Sequence, residues 1–187
     1  MVEYLKNSNI DNETIFVIGE FALMWREFEN HFFSQQIKAY NIPRKAKEIW
    51  KKLNVEEKIR VERKCITLQK NIIKYVFENQ KINLDEVDTI YLKNLFYPLF
   101  YDFTDNDLNS ISVFLKYRED VKQFDCEECE GCLITLYRLR NNLLHGKKAF
   151  GLIKYQLPIF VAGTDLIDTL FRINMEKVCR GEKGFCN

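Results

Sequence analysis

The strongest constraint on the fold is a stripe of large apolar side chains that returns every three or four residues. Val17, Phe21, Met24, Phe28 and Phe32 recur at that step, and Trp25 widens the stripe. On a helix this spacing gathers every member on one face, whereas on a strand it scatters them over both. The pattern predicts a long amphipathic helix over residues 12 to 40. It returns over residues 55 to 79 through Val61, Cys65, Leu68, Ile72, Tyr75 and Val76. A third run covers about 155 to 177 through Phe160, Ile167, Leu170 and Phe171. Between these, Pro43 suits the first turn of a helix ending near Leu53. Thr104 or Asp105 can cap another through about Phe124. A further helix runs from about Leu133 to Leu144 and stops at Gly146, a natural residue just past a helix end. The segment DEVDTIYLKNLFYPLFYDF reads as two short helices broken before Pro98. Its rings at 95 to 103 can stack bases, but at helical spacing they read as core.

With only 7 glycines and 3 prolines in 187 residues, the chain is poor in the turns that a β-sandwich needs. No internal repeat, linker or low-complexity tract divides it. The expectation is all-α: one helical bundle of about five to seven helices over residues 1–187, large enough to bury a single core. A formal net charge of +1 creates no global pull on nucleic acid or membrane. The opening MVEYLKNSNIDNET lacks the apolar core of an export signal, and runs such as LFYPLF and LPIFVAG are too short to span a bilayer. A cytoplasmic protein without membrane contact is expected, its six cysteines reduced or bound to metal rather than bridged.

The segment TLYRLRNNLLHGKK, residues 135 to 148, concentrates the polar chemistry. On an ideal helix Leu133, Leu136, Tyr137, Leu143 and Leu144 fall within about 60° of Arg140, so its guanidinium points into the apolar stripe and demands a partner. His145 lies about 140° away, near Asn141 and Arg138. An arginine and a histidine so placed converge on one phosphate through a bend at the helix end or through a second copy of the chain. No Asp or Glu occurs from Gly131 through Thr164, whereas Arg138, Arg140, Lys147, Lys148 and Lys154 do. The result is a local positive field suited to a phosphate-bearing partner. On the first helix, Glu20 aligns with Glu13, Glu27 and His31 and is edged by Phe16, Val17, Leu23 and Met24. It is the carboxylate expected to hold Arg140, with a solvated helix face as the alternative.

Arg140-Asn141, three further residues and His145, within RNNLLHG, resemble the signature of the HEPN superfamily. The likeness covers the C-terminal half best. It implies a helical bundle that dimerises around the motif and, in many members, a metal-independent ribonuclease of toxin–antitoxin, antiphage or CRISPR systems. Other members are inactive binding modules. The resemblance makes Arg140, His145 and Asn141 the catalytic candidates, with Asn142, Arg138, Lys147 and Lys148 set to hold substrate and no cofactor required. RNA, a second copy of the chain and a cognate antitoxin or regulator are the implied partners. The chemistry agrees: attack of a 2′-OH on the adjacent phosphorus leaves a 2′,3′-cyclic phosphate. It needs a proton acceptor near neutral pH, for which histidine is suited, and a fixed cation on the phosphoryl oxygens. Arg26 and His31 share the same spacing, but they sit among Glu27 and Glu29 within a continuing helix, where a Glu27–His31 pair accounts for the histidine. The alternative function is a non-catalytic module binding RNA, a nucleotide or a protein through the same basic patch.

Cys126, Cys129 and Cys132 offer a rival site, since three thiols at this spacing can grip zinc or an iron–sulfur cluster with a fourth ligand from Cys179 or Cys186. Glu127, Glu128 and Glu130 oppose it by adding negative charge. The competing expectation for DCEECEGC is an acidic interhelical loop with incidental thiols.

Overall fold

The computed structural model describes residues 11–33, 38–77, 104–144 and 153–185. These form six α-helices with no strand among the described residues: α1 (Asn12–Phe32), α2 (Ile42–Lys52), α3 (Val55–Phe77), α4 (Asp105–Leu115), α5 (Cys126–Leu144) and α6 (Leu157–Cys179). The all-α bundle expected from the apolar periodicity is therefore the architecture. No helix among the described residues is long and apolar enough to cross a membrane.

Local chemistry sets the helix starts. The Asp11 carboxylate accepts the Thr14 backbone N–H at 2.7 Å, and Pro43 and Pro158 occupy the first turns of α2 and α6. Thr104 and Asp107 form a reciprocal capping box at the head of α4. In the packing, α6 lies against both α1 and α3, while α5 lies against both α2 and α4. Consecutive residues Gly131 to Leu136 are all buried, so α5 is enclosed on every side where it passes through the core. At Gly163 of α6, a Cβ would meet Leu136 Cδ2 at 2.8 Å and Phe21 Cε2 at 2.9 Å, which marks where α1, α5 and α6 close together. Aromatic rings fill one end: Phe28 and Phe32 lie 4.6 Å apart, and Phe32 meets Phe171 and Phe185 at 5.3 and 5.6 Å.

Three helix boundaries differ from the periodicity. The first helix stops at Phe32 instead of reaching residue 40, because Phe33 turns extended and lays its ring edge-on against Phe28 at 5.7 Å. The helix begun at Asp105 stops at Leu115 rather than near Phe124. There the buried Gln69 amide of α3 donates to the carbonyls of Phe114, Leu115 and Tyr117 at 2.8, 3.1 and 2.9 Å, satisfying the orphan acceptors of the helix end. The segment DCEECEGC is not a loop. Its residues 126–132 are the first two turns of α5, headed by Asp125, whose backbone N–H donates to the Glu128 carboxylate at 2.9 Å. The aromatic segment at 85–103 lies outside the described residues.

The C-terminal segment is tied down by ion pairs. Lys177 and Glu57 are both buried and meet at 2.8 Å, and Arg180 reaches the other Glu57 oxygen at 2.8 Å. Lys45 and Lys52 donate to the carbonyls of Phe185 and Gly184, and the Asn174 side chain accepts the Phe185 N–H at 2.6 Å. Burial alone pushes the Glu57 carboxyl up. Its bonds from Lys177, the Asn54 backbone and Arg180 outweigh that and hold it below its ordinary value. A carboxyl depressed in the folded state adds stability above its unfolded pKa, and that stability is lost as pH falls through the folded one. Denaturant unfolding is therefore expected to show Glu57→Gln less stable than wild type at pH 7, with the gap closing below about pH 4. A gap that persists unchanged in acid rules this linkage out.

Candidate functional site at the end of α5

The last turns of α5 bring polar groups out of the core, and the structure sorts them into two kinds. Arg138 is buried and pairs with the buried Asp107 of α4, the same carboxylate that accepts the Thr104 backbone N–H and hydroxyl at 2.7 Å each. Its guanidinium also lies over the Tyr137 ring at 5.3 Å. The expected substrate-holding role of Arg138 is thus corrected: the side chain turns inward to a structural carboxylate, because α4 brings Asp107 against this face. Asn142 is likewise buried, at 3% exposure, and does not form part of an open substrate surface.

Arg140 behaves otherwise. Its side chain keeps 19% exposure, donates from Nη2 to Glu29 at 3.1 Å and from Nη1 to the Asn141 side chain at 2.9 Å. The demand for a carboxylate partner is met, but by Glu29 rather than Glu20, which is exposed. The reason lies in helix phase. Relative to the buried residues Phe21, Trp25, Phe28 and Phe32, Glu29 stands about 70° away and Glu20 about 110°, so only Glu29 reaches the seam between α1 and α5. The signal for Glu29 was present in the sequence, as a carboxylate four residues after Trp25 and three before Phe32.

The surroundings of the pair are incompletely satisfied. Glu29 Oε1, Trp25 Nε1 and Arg138 Nε are buried without a hydrogen-bond partner. Trp25 and Tyr137 meet at 6.3 Å beside them. Among polar groups this deep most find partners, and Glu29 Oε1 and Trp25 Nε1 leave two orphans on α1 while Arg138 Nε leaves one on the α4 side. His145, Lys147 and Lys148 lie outside the described residues. The competing motif on α1 is accounted for locally: His31 Nδ1 lies 3.0 Å from the Glu27 carbonyl and 3.6 Å from its carboxylate, with its ring edge-on to Phe171 at 5.4 Å.

The cysteines form a core feature. Cys129 and Cys132 are buried and Cys126 is half-buried on α5, where Cys132 shares a thiol–thiol hydrogen bond with Cys65 of α3. Burial pushes the Cys65 and Cys129 thiols well up and raises Cys132 as well, which keeps them protonated. Burial and the charges of Asp125 and Glu127 also raise Cys126. Among the described residues no group of three or more His, Cys, Asp or Glu side chains is arranged to hold a metal ion.

Fold and site together define an all-α bundle whose enclosed central helix ends in a carboxylate-held arginine. Comparison with known proteins adds no narrower identity: no family model, no curated protein and no solved structure matches the chain.

Proposed function

We propose that the protein is a metal-independent endoribonuclease of the HEPN kind, serving a toxin or antiphage role. The observation that carries this reading is Arg140. It stands at the end of an enclosed helix, oriented by Glu29 and Asn141, within a stretch free of acidic residues in sequence. A guanidinium held on two sides keeps donors for a phosphoryl oxygen without the entropy of ordering a mobile side chain. In this mechanism His145 removes the proton from the 2′-OH, and the oxygen attacks phosphorus as the 5′-oxygen leaves. Arg140 stabilises the charge gathering on the non-bridging oxygens. A second copy of the chain supplies the opposing His145 as general acid. DNA lacks the attacking hydroxyl and is not cut.

One observation favours the second reading, a non-catalytic module binding RNA, a nucleotide or a protein. Glu29 already occupies part of the guanidinium, and Arg138 and Asn142 are withdrawn from the surface. The deciding measurement is RNA cleavage with EDTA present. Wild type is expected to cut, and His145→Ala to lose about 10²–10⁴-fold in rate while its melting curve is unchanged. Cleavage that requires added metal, or a His145→Ala variant as active as wild type, removes the ribonuclease reading. Binding without turnover in both proteins selects the module.

A further inference from the structure

Beyond the α5 site, the outer face of α3 carries a second feature. Arg63, Thr67, Lys70 and Lys74 are all exposed and follow one another at steps of four, three and four residues. They therefore line one straight ridge about 16 Å long. No Asp or Glu occurs from Arg63 through Phe77, the last described residue of α3. The acids that α6 brings alongside are already engaged: Asp165 pairs with Lys64 at 3.2 Å, Asp168 with Arg172 at 2.6 Å, and Glu176 with Arg60 at 2.7 Å. Glu62, on the flank of α3, accepts from the Tyr117 hydroxyl at 2.7 Å. Arg63 and Lys70 enter no ion pair among the described residues.

The ridge does not end bare. Asn71 donates to the Pro158 carbonyl at 3.1 Å, and Gln156 donates to the Tyr75 hydroxyl at 2.8 Å. These bonds set the turn Lys154–Gln156 against the last turns of α3. There Lys154 lies over the ring of Tyr155, which is 60% exposed, at 4.9 Å. Cations in a row with an exposed aromatic ring on their flank are the elements of a surface for single-stranded nucleic acid.

We infer that the α3 ridge of Arg63 and Lys70, with Lys154 and Tyr155 beside its C-terminal part, is a binding track for the phosphate backbone of single-stranded nucleic acid. Its length suits about three phosphates, and its chemistry is blind to sequence. An anionic membrane fits less well, because interfacial helices insert apolar side chains. Among the described side chains of α3, the exposed large hydrophobics are Val55 and Ile59, both N-terminal to the ridge. The track does not depend on the ribonuclease reading, since it holds phosphates whether or not they are cut.

The test uses the full chain and a labelled single-stranded DNA of about twelve nucleotides, which binds through phosphates yet cannot undergo 2′-OH attack. Anisotropy titrations across a salt series compare wild type, Arg63→Gln/Lys70→Gln and Lys47→Gln/Lys51→Gln, with circular dichroism confirming equal folding. Wild type and Lys47→Gln/Lys51→Gln, which removes two exposed charges of α2 away from the ridge, are expected to bind alike. Arg63→Gln/Lys70→Gln is expected to bind about tenfold or more weakly, its log K against log salt slope smaller by about 1.4. Equal binding by Arg63→Gln/Lys70→Gln overturns the track, as does no binding by wild type. Binding to phosphatidylserine vesicles in place of the oligonucleotide overturns it in favour of a membrane surface. Loss of RNA cleavage in His145→Ala concerns only the α5 site.

Discussion

Replacing Gly131 by alanine is expected to be the most damaging single-methyl change in the protein. A Cβ at that position lies 2.0 Å from the Ser110 carbonyl oxygen, 2.8 Å from its carbon and 2.7 Å from Phe114 Cβ. Two of those three atoms are backbone and the third is bonded to it, so no side-chain rotation relieves the contact. The clash parts α4 from α5 along their main interface, where Ser110 also holds Glu130 at 2.7 Å. Ordinary overpacking costs about 1–3 kcal/mol, and a collision with backbone belongs above it, at roughly 4 kcal/mol or more. In a chain of this size that lowers the melting temperature by about 10 °C. Gly19→Ala is the internal control, because its Cβ meets nothing within 4 Å. It is expected to stabilise by up to about 1 kcal/mol through helix propensity. If thermal melts place the two variants together, the helix contact is not as close as described.

The second large effect concerns the buried pair at the head of α4. Arg138→Ala leaves Asp107, 4% exposed, facing the Thr104 donors without its counter-charge. Removing one partner of a buried pair costs about 3–5 kcal/mol, since the remaining charge stays desolvated. Arg138→Met/Asp107→Asn, which removes both charges while keeping an acceptor for the cap, is expected to recover at least half of that loss. Chemical denaturation of the two variants beside Asp107→Asn and Arg138→Met closes the cycle. A double variant no more stable than Arg138→Ala alone sinks the account.

The pair also explains what the sequence concealed. Arg138 and Arg140 stand two residues apart on the same helix and look alike as cations. They differ because α4 presents Asp107 to one and α1 presents Glu29 to the other. No local pattern distinguishes them, for the partners lie 31 and 111 residues away in the chain. The cysteine segment carries two opposed local signals. Its acidic, thiol-rich composition suggests a loop, but Asp125 followed three residues later by Glu128 is a helix-start pattern, and it prevailed. The end of α4 was not legible at all, since it is set by Gln69, a side chain on another helix.

Apolar periodicity and the scarcity of glycine and proline determined by themselves that the chain is helical and roughly which stretches form helices. Capping side chains and turn prolines act within a few residues, so their effect is written locally. Tertiary structure alone decided which polar groups are held in the interior and which remain available. That outcome depends on the phase of each helix against its neighbours, and a shift of one residue rotates a side chain by about 100°. Thus Glu29 rather than Glu20 meets Arg140, Arg138 is spent on Asp107, and the exposed cations run along α3.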